Sequence, residues 1–234
     1  MKLDAERIAA ALELPVYVYD TLDSTSSECR RRLAAGEQRC LVLAETQTLG
    51  RGRSDKSFFS PRGGLYMSLA MEAMPDVTGL TCRAAVETAE AVDKLTGLQC
   101  VIKWVNDLLL NGKKVCGILA EAVGNSVILG IGVNLTPAVL PRELEQLAGF
   151  LDCGDLREPL AEELVRRLMR PRERADYMAE YRRRCMMPGK MLRCRVGGRE
   201  FDALAVDVDA DGGLVVLGPE GRETLTFGEV RLIR

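Results

Sequence analysis

The sequence predicts an α+β fold, made of a mixed β-sheet with helices packed on one face and a small β-barrel at the C-terminus. Runs with helical spacing alternate with strand-like apolar runs along most of the chain. Turn pairs at 111–112 (Asn-Gly) and 124–125 (Gly-Asn) separate three strand-like runs, as in antiparallel hairpins. Short strand-like runs then follow one another closely up to the C-terminus, which favours a barrel. We therefore predict two domains, at residues 1–187 and 188–234.

Start and stop signals define the individual elements. Ser24 or Thr25 is predicted to cap the second helix, Asp76 to cap the third, and Gly97 to end it. Pro171 is predicted to separate two helices that meet at a bend. The predicted helices cover residues 3–14, 24–36, 77–95 and, as two helices, 159–185. The predicted strands cover residues 16–22, 40–45, 64–71, 99–104, 108–110, 115–123 and 127–135, then 191–196, 199–208, 213–218, 222–227 and 229–233.

The composition is that of a folded protein without a strong electrostatic field. Hydrophobic residues make up 47% and charged residues 28% of the 234 residues, which is too apolar for intrinsic disorder. Lys and Arg number 32 against 34 Asp and Glu, for a formal charge of −2. This balance gives no general attraction to nucleic acid or to an anionic membrane, so we expect neither DNA nor membrane as a partner.

Cysteine and histidine usage limits the chemistry of the chain. The eight cysteines include no Cys-x-x-Cys pair, and no histidine is present to complete a zinc site. The N-terminal segment carries charges within its apolar pattern, and no uncharged run reaches the roughly 18 residues that span a bilayer. We therefore expect a cytoplasmic protein with reduced thiols. Without histidine, catalysis has to depend on Lys, Arg, carboxylates and backbone amides.

Residues 47–63 form a long segment rich in Gly, Arg and Ser between two predicted strands. Long structureless segments inside a compact domain are uncommon and are often functional. Residues 50–53 read Gly-Arg-Gly-Arg, which places two guanidinium groups on a backbone that can approach a ligand closely. Such a loop can bind carboxylate or phosphate oxygens. By itself, the pattern is more typical of an ordinary basic surface loop.

Residues 103–107 (Lys-Trp-Val-Asn-Asp) place polar groups at the end of a predicted apolar strand, where ligands often bind. Lys113 and Lys114 follow at a hairpin. Taken alone, the two lysines are more typical of a solvated hairpin tip. By the same standard, Trp104 is typical of core packing, and the Asn-Asp pair is typical of a turn.

Two glycines interrupt the apolar strand at residues 127–135. Gly130 and Gly132 are two positions apart, so both lie on one face of the strand. Glycines inside a strand often mark a place where a ligand or another part of the protein approaches the backbone closely. A ligand on this face and a tight contact between a helix and the sheet explain the pattern equally well.

Taken together and in this order, the motifs resemble those of the catalytic domain of the biotin protein ligases. The resemblance covers about residues 16–136, and several motifs in one order are far more specific than any of them alone. The C-terminal part is similar to the SH3-like domain of these enzymes, on its strand pattern rather than on a motif. The matching residues are Ser24, Thr25, Gln47, 50–53, Ser60-Pro61, 64–68, Lys103, Trp104, Asn106, Asp107, Lys114, 117–119, Glu121 and 130–134.

The resemblance implies a fold of the class II aminoacyl-tRNA synthetase and biotin synthetase type, together with a role for each matching residue. Lys114 would lie between the biotin carboxylate and the α-phosphate of ATP, where a fixed cation offsets negative charge. Biotin would be bound by Ser24, Thr25, Ser26, Gln47, Arg51, Gly52, Arg53 and Lys114. ATP would be bound by Arg51, Phe58, Asn106, Gly132 and Asn134. The catalytic residues would be Lys114, Arg53 and Asp107, with Asp107 also helping to position Mg²⁺ or the incoming lysine.

The chain departs from the pattern of these ligases in two motifs. Their loop usually continues as Arg-x-Gly-Arg-x-Trp, whereas residues 53–58 read Arg-Ser-Asp-Lys-Ser-Phe. The usual Asn after Ser-Thr is Ser26, and the usual Pro after Lys-Trp is Val105. Phe58 can still stack on an adenine ring, but Asp55 adds a negative group beside a phosphate site. We therefore predict weaker nucleotide binding or a looser loop.

The reaction that the resemblance implies has two steps. Biotin carboxylate attacks the α-phosphate of Mg-ATP to give biotinyl adenylate and pyrophosphate, and a lysine of a biotin carboxyl carrier domain then displaces AMP. The loop at 47–63 would close over the adenylate as a lid. The few residues before the first strand are too few for the DNA-binding domain of some of these ligases, so we expect the ligase-only form, with a homodimer left open.

Two other functions stay open. One is a lipoate ligase or a lipoyl/octanoyl transferase, which has a related scaffold and also modifies a carrier lysine. The other is a biotin sensor that has lost catalysis through the changes at Asp55 and Phe58. The Arg-Gly-Arg loop at 51–53 and the motif at 103–107 point to biotin, and the presence of Lys114 points to a catalyst.

Overall fold

The computed structural model describes residues 2–53, 56–72 and 76–233. Each predicted helix and strand is found there, with ends that differ by a few residues from the predicted ones. In chain order, the elements are α1 (Ala5–Leu12), β1 (Val16–Leu22), α2 (Thr25–Ala34), β2 (Cys40–Gln47), β3 (Leu65–Glu72), α3 (Val77–Thr96), β4 (Val101–Lys103), β5 (Asp107–Leu110), β6 (Lys113–Val123), β7 (Ser126–Val133), a 3₁₀ turn (Arg142–Leu144), α4 (Arg157–Met169), α5 (Arg174–Arg184), β8 (Met191–Val196), β9 (Arg199–Val208), β10 (Leu214–Gly218), β11 (Gly221–Leu225) and β12 (Glu229–Leu232).

The larger sheet has seven strands in the order β1-β2-β3-β7-β6-β5-β4. The β1–β2 pair is parallel and the other pairs are antiparallel, so the predicted mixed sheet is confirmed. Asn111 and Gly112, between β5 and β6, have φ values of 51° and 78°. A type I′ hairpin turn requires positive φ at both central residues, which explains why this pair marked the turn in the sequence.

Helices cover both faces of the larger sheet. Helices α1, α3, α4 and α5 contribute to the main hydrophobic core, which Leu41 and Leu43 of β2 also enter. Cys40 and Val42 point to the opposite face, where they pack with Cys29 of α2. Helix α2 therefore departs from the predicted one-sided arrangement. The physical reason is that the central strands are apolar on both faces, so both need cover.

The smaller sheet is antiparallel, in the order β11-β10-β9-β8-β12, and its core residues join the main hydrophobic core. Trp104, predicted to be a core residue, is buried and donates a hydrogen bond of 2.8 Å from Nε1 to the carbonyl oxygen of Gly212. Tyr181 donates a hydrogen bond of 3.0 Å to the carbonyl oxygen of Val105. The first bond fixes the smaller sheet against the 103–107 motif, and the second fixes α5 against it. In the described part of the chain, no helix is long and apolar enough to cross a membrane.

Candidate active site

A cavity of about 210 Å³ opens on the α2 face of the larger sheet. Its walls come from the N-terminus of α2, the loop at 47–63, strands β3, β6 and β7, the 103–107 motif, and residues 228–231 at β12. Every residue predicted for the site except Asn134 lines this cavity. The predicted residues found in the lining are Ser24, Thr25, Ser26, Gln47, Arg51, Gly52, Arg53, Phe58, Asn106, Asp107, Lys114 and Gly132.

A hydrogen-bonded group of polar side chains forms one end of the cavity. Oε1 of Gln47 accepts hydrogen bonds from the backbone N–H of Thr25 at 2.9 Å and from its hydroxyl at 3.2 Å. Ser68 Oγ lies 2.8 Å from Thr25 Oγ1 and 3.0 Å from Ser26 Oγ. Nε2 of Gln47 donates to Ser60 Oγ at 2.8 Å. Since the hydroxyls of Thr25, Ser26 and Ser68 are buried, these bonds fix the direction of each donor and acceptor.

The N-terminus of α2 is tied to the end of β2 at this group. Ser24, one of the two residues predicted to cap the helix, is the N-cap residue, but its side chain makes no capping hydrogen bond. Instead, the amide oxygen of Gln47 accepts from the N–H of Thr25, one of the backbone donors that a helix leaves unpaired at its start. The positive end of the α2 dipole therefore faces the cavity.

Lys114 and Asp107 form the charged centre of the cavity. Nζ of Lys114 lies 2.6 Å from Oδ1 of Asp107 and 5.6 Å from the centre of the Phe58 ring. The Lys114 backbone is held on both sides, because its N–H donates to the Leu147 carbonyl and its carbonyl accepts from the Gly149 N–H, each at 2.8 Å. This lysine is therefore not the solvated hairpin tip that its local sequence favoured.

Three glycines form the floor of the cavity. Gly117 of β6 and Gly132 of β7 lie opposite each other, with the Phe58 ring above them. A Cβ added at Gly132 would lie 2.5 Å from Phe58 Cε1, and one at Gly117 would lie 2.9 Å from Phe58 Cε2. A Cβ at Gly130 would lie 2.9 Å from Ser26 Oγ of α2. The close approach that the sequence predicted is thus an aromatic ring at one glycine and a helix at the other.

The loop at 47–63 is more ordered than the structureless segment that the sequence predicted. Its two sides are joined by three backbone hydrogen bonds. The N–H of Gln47 donates to the Ser60 carbonyl at 3.2 Å, that of Phe58 to the Gly50 carbonyl at 2.8 Å, and that of Gly52 to the Lys56 carbonyl at 2.7 Å. Sequence periodicity does not detect such pairing because the partners are few and irregularly spaced. Asp55, the residue predicted to weaken nucleotide binding, lies outside the described residues.

The two loop arginines reach opposite sides of the cavity. Nη2 of Arg51 lies 3.0 Å from Oε1 of Glu121, which also lies 3.2 Å from Nη2 of Arg30 on α2. Nη1 of Arg53 donates to Oδ1 of Asn106 at 3.4 Å. Nδ2 of Asn106 in turn donates to the Ile118 carbonyl at 2.7 Å. The loop is thereby linked to β6 and to the 103–107 motif.

Asn134 is the predicted site residue that the structure leaves outside the cavity lining. Its side chain is buried and its Nδ2 donates to the carbonyl oxygens of Gly149 at 3.0 Å and Lys114 at 3.5 Å. These bonds support the backbone around Lys114 and use the amide nitrogen within the protein. The contact of Asn134 with a nucleotide stays a prediction.

Several residues of the site were not predicted. Ser68 lies behind the cavity lining, where its hydroxyl is hydrogen-bonded to those of Thr25 and Ser26. It stands within the resembling motif at 64–68, but its alternation with apolar neighbours gave it no distinct signal. Lys103 lines the cavity, and loss of hydration on burial lowers its pKa. Residues 228–231 come from the smaller sheet, where Glu229 lies 2.6 Å from Nζ of Lys56. This last wall depends on the packing of two distant segments, which no local pattern reveals.

The described side chains do not form a metal-binding group on their own. Among residues 2–53, 56–72 and 76–233, no group of three or more His, Cys, Asp or Glu side chains could hold a metal ion. Asp107 is engaged with Lys114. A role for Asp107 with Mg²⁺ therefore depends on phosphate oxygens of the substrate as further ligands, and it stays a prediction.

Comparison with known proteins identifies the family. The profile of the biotin/lipoate A/B protein ligase family matches residues 18–136, and the profile of the biotin protein ligase C-terminal domain matches residues 189–232. The chain belongs to the biotin/lipoate A/B protein ligase family. This member of the family is 30% identical over 234 residues to a biotin–acetyl-CoA-carboxylase ligase of Mycobacterium tuberculosis, across 90% of its own length and 86% of the relative.

Two further comparisons agree with this membership. This family member is 29% identical to the bifunctional ligase/repressor BirA of Bacillus subtilis, over 92% of its own length and 73% of the relative. Its fold is similar to that of the biotin protein ligase from Aquifex aeolicus in complex with biotin and ATP, with a TM-score of 0.81. That likeness covers 94% of this chain and 98% of the other at 24% identity, so it concerns the fold. The predicted fold class is confirmed.

Proposed function

We propose that the protein is a biotin protein ligase, which activates biotin with ATP as biotinyl adenylate and transfers it to a lysine of a biotin carboxyl carrier domain. One observation carries the proposal. Thr25 and Gln47, which are hydrogen-bonded to each other, line the same cavity as the cation of Lys114. Such a cavity fits a small molecule with a neutral polar head at one end and a carboxylate at the other.

Biotin fits this cavity better than lipoate does. The ureido group of biotin needs both donors and acceptors, which the hydroxyls of Thr25 and Ser26 and the amide of Gln47 supply. The dithiolane ring of lipoate offers no hydrogen bonds to these polar groups, so displacing water from them would cost binding free energy. The match of residues 189–232 to a domain named for biotin protein ligases supports the same choice over a lipoate ligase.

Lys114 is the principal catalytic residue in this proposal. Its ammonium group offsets the charge of the biotin carboxylate and of the α-phosphate, which otherwise repel each other as the two approach. Asp107 holds the ammonium group in the cavity until a phosphate takes over that contact. Asp107 is then free to help position Mg²⁺ or the ammonium group of the acceptor lysine.

The loop at 47–63 closes the active site in this proposal. Gly52 lets the backbone lie close to the ligand, while Arg51 and Arg53 supply charge-assisted hydrogen bonds to carboxylate or phosphate oxygens. Exclusion of water protects the mixed anhydride of the adenylate from hydrolysis. Phe58 offers its ring to the adenine, and the lack of side chains at Gly117 and Gly132 lets that ring lie close against the sheet.

Residues 1–187 form the catalytic domain and residues 188–234 the C-terminal domain, which closes one wall of the cavity through residues 228–231. The carrier domain of a biotin-dependent carboxylase is the macromolecular partner, since its lysine has to reach the cavity. The protein acts in the cytoplasm, where carboxylases and ATP are found together, as a monomer or a homodimer.

The experiment follows the intact mass of a recombinant carrier domain incubated with the protein, Mg-ATP and either biotin or lipoate. The expected result is an ATP-dependent mass gain of one biotin and none with lipoate. A gain with lipoate alone would assign the protein to lipoate transfer instead. Tight biotin binding without transfer would make it a sensor. Either of these results would contradict the proposal.

A further inference from the structure

The two ends of the loop at 47–63, here called the active-site loop, meet at an ion pair outside the cavity. Nη1 of Arg62 lies 3.3 Å from Oε2 of Glu45. Glu45 belongs to β2, two residues before the loop starts at Gln47, and Arg62 is the next-to-last residue of the loop. Neither Glu45 nor Arg62 lines the cavity. Their contact therefore closes the loop at its base.

This pair continues the contacts that already join the two sides of the loop. The backbone N–H of Gln47 donates to the Ser60 carbonyl at 3.2 Å, and Nε2 of Gln47 donates to Ser60 Oγ at 2.8 Å. Glu45 and Arg62 lie two residues further from the tip, one on each side. Their ion pair is therefore the next link between the same two segments, beside the link that carries Gln47.

We infer that Arg62 and Glu45 are positioning residues, whose contact holds the base of the active-site loop together, keeps Gln47 directed at the ligand and slows the escape of the adenylate. This inference rests on the proposed function and adds two residues to it. Gln47 lines the cavity and is bonded to both Thr25 and Ser60. A loosened base would reach Gln47 through Ser60.

The carboxylate of Glu45 is fixed by two arginines. Its side chain is only 4% exposed, and its Oε2 also accepts a hydrogen bond from Nη1 of Arg157, the first residue of α4. Its Oε1 has no hydrogen-bond partner among the described residues. Burial of a carboxylate is costly unless cations and donors compensate it, so Glu45 depends on Arg157 and Arg62 together.

The backbone on both sides of Arg62 is held in place. The hydroxyl of Tyr66 donates to the Pro61 carbonyl at 2.6 Å, and Oγ1 of Thr136 donates to the Gly63 carbonyl at 2.8 Å. The N–H of Thr136 donates to the same Gly63 carbonyl at 3.2 Å. Because its neighbours are fixed in this way, Arg62 presents its guanidinium group to Glu45 at little further cost in conformational entropy.

Arg62 has a second, outer partner. Its Nη2 lies 2.5 Å from Oδ1 of Asp20 on β1. Both of these side chains are more than half exposed, and exposed ion pairs contribute little. The buried Glu45 is therefore the partner on which the position of the loop depends, and a change at Asp20 distinguishes the two contacts.

Retention of the adenylate can be measured without a carrier domain. After its first turnover, a protein that keeps biotinyl adenylate bound has to release it before new biotin and ATP can bind. The steady rate of pyrophosphate release therefore measures adenylate escape, whereas the first turnover measures adenylation. A loosened loop base raises the steady rate, and general damage to the protein does not.

We would compare Arg62→Gln, Arg62→Lys and Asp20→Asn with the control Arg7→Gln. Arg7 matches Arg62 because it is also more than half exposed and pairs with two carboxylates, those of Glu158 and Glu162, but it joins α1 to α4. The first-turnover rate, the steady rate, the hydrogen exchange of residues 47–63 in the ligand-free protein and the free energy of unfolding are measured for each variant.

For Arg62→Gln we expect a steady rate about three to ten times that of the wild type and faster exchange of residues 47–63, because the loop base loses a charge-assisted contact. The first-turnover rate should stay within about twofold of the wild type. Arg62→Lys, which keeps the charge, and Asp20→Asn should have smaller effects. Arg7→Gln should leave both rates and the exchange unchanged.

A double-mutant cycle tests whether Arg62 acts through Glu45. Glu45→Gln is made in the wild type and in Arg62→Gln. If the two residues act as a pair, the second change should add little to the steady rate, whereas independent residues would give effects that multiply. Multiplied effects would overturn the assigned pairing.

An unchanged steady rate and unchanged exchange of residues 47–63 in Arg62→Gln would overturn the inference while leaving the proposed function intact. A parallel fall of both rates and of the free energy of unfolding would also overturn it, since that result indicates a general loss of structure. If the wild-type protein formed no biotinyl adenylate, the proposed function would fall. The exchange of residues 47–63 would then decide by itself whether Arg62 holds the loop base.

Discussion

The ammonium group of Lys114 lies 2.6 Å from Oδ1 of Asp107, and both side chains line the cavity. Lys114 is held from the other direction by the backbone bonds to residues 147 and 149. Its charge is therefore fixed in place before any substrate arrives. Preorganised charge of this kind needs no rearrangement during the reaction, which is what makes it effective in catalysis.

Removal of the Lys114 charge should abolish most adenylation. We expect Lys114→Met to lower the rate of pyrophosphate release by about 10²–10³-fold, because a developing charge loses its partner in a site shielded from water. The adjacent Lys113 is the control, since its Nζ donates to the Glu145 carbonyl at 2.9 Å and the side chain does not line the cavity. Near-normal pyrophosphate release by Lys114→Met, or an equal loss in Lys113→Met, would contradict the assigned role.

Arg53 should retain the adenylate rather than form it. It is hydrogen-bonded to Asn106 across the cavity, and we expect Arg53→Gly to release biotinyl adenylate several-fold faster because the loop loses this anchor. Released adenylate would modify lysines of unrelated proteins, so labelling of serum albumin beside the carrier domain measures the leak. If adenylate retention and acceptor selectivity both matched the wild type, the loop would not act as a lid.

The sequence predicted the elements of this protein well because its local signals are strong. Asp76 caps α3 by accepting a hydrogen bond from Gly79, and Gly97 ends that helix with a φ of 73°. The turn at 111–112 has the positive φ values that its Asn-Gly pair favours. The position of α2 on the second face was not predicted. Its apolar strip is short, and only the assembled sheet shows which face still lacks cover.

The site was predicted in part for the same reason. Residues such as Gln47 and Lys114 stand within motifs, so the resemblance found them. Ser68 lies on an apolar strand, and Arg231 reaches the cavity from a separate sheet. Their participation depends on tertiary contacts between segments far apart in the sequence. Asn134 shows the converse, because its motif is present while its side chain bonds to the backbone around Lys114.

Ser68 should be required for biotin binding because it orients the hydroxyl groups of Thr25 and Ser26. Its hydroxyl bonds to those of Thr25 and Ser26, and it is fully buried. Ser68→Val removes both bonds and leaves two buried hydroxyls short of a partner, so we expect a loss of about 1–3 kcal/mol in the free energy of unfolding. The Kd of biotin should rise by about tenfold or more, since the polar end of the cavity loses its fixed orientation.

Thr88→Val provides the control for this prediction. Thr88 is also fully buried, and its hydroxyl bonds to the Ala84 carbonyl inside α3, away from the cavity. Its replacement should affect the free energy of unfolding without changing the Kd of biotin. Chemical denaturation and calorimetry on the two variants separate stability from binding. Equal changes in biotin affinity for both would show that Ser68 acts only through general stability.

Glu121 should control the active-site loop by holding Arg51. Its Oε1 accepts from Arg51 at 3.0 Å and lies 3.2 Å from Nη2 of Arg30, so one carboxylate links the loop to α2. Glu121→Gln removes the charge and leaves Arg51 free to move. We expect adenylate to escape several-fold faster and the KM for ATP to rise, while Glu121→Asp, which keeps the charge, recovers part of the loss.

The control is Glu28→Gln, because Glu28 of α2 also pairs with two arginines, at 2.7 and 3.0 Å, but does not line the cavity. Adenylate release is followed by trapping with hydroxylamine. If Glu121→Gln and Glu28→Gln behaved alike, the link between Glu121 and Arg51 would have no part in loop closure.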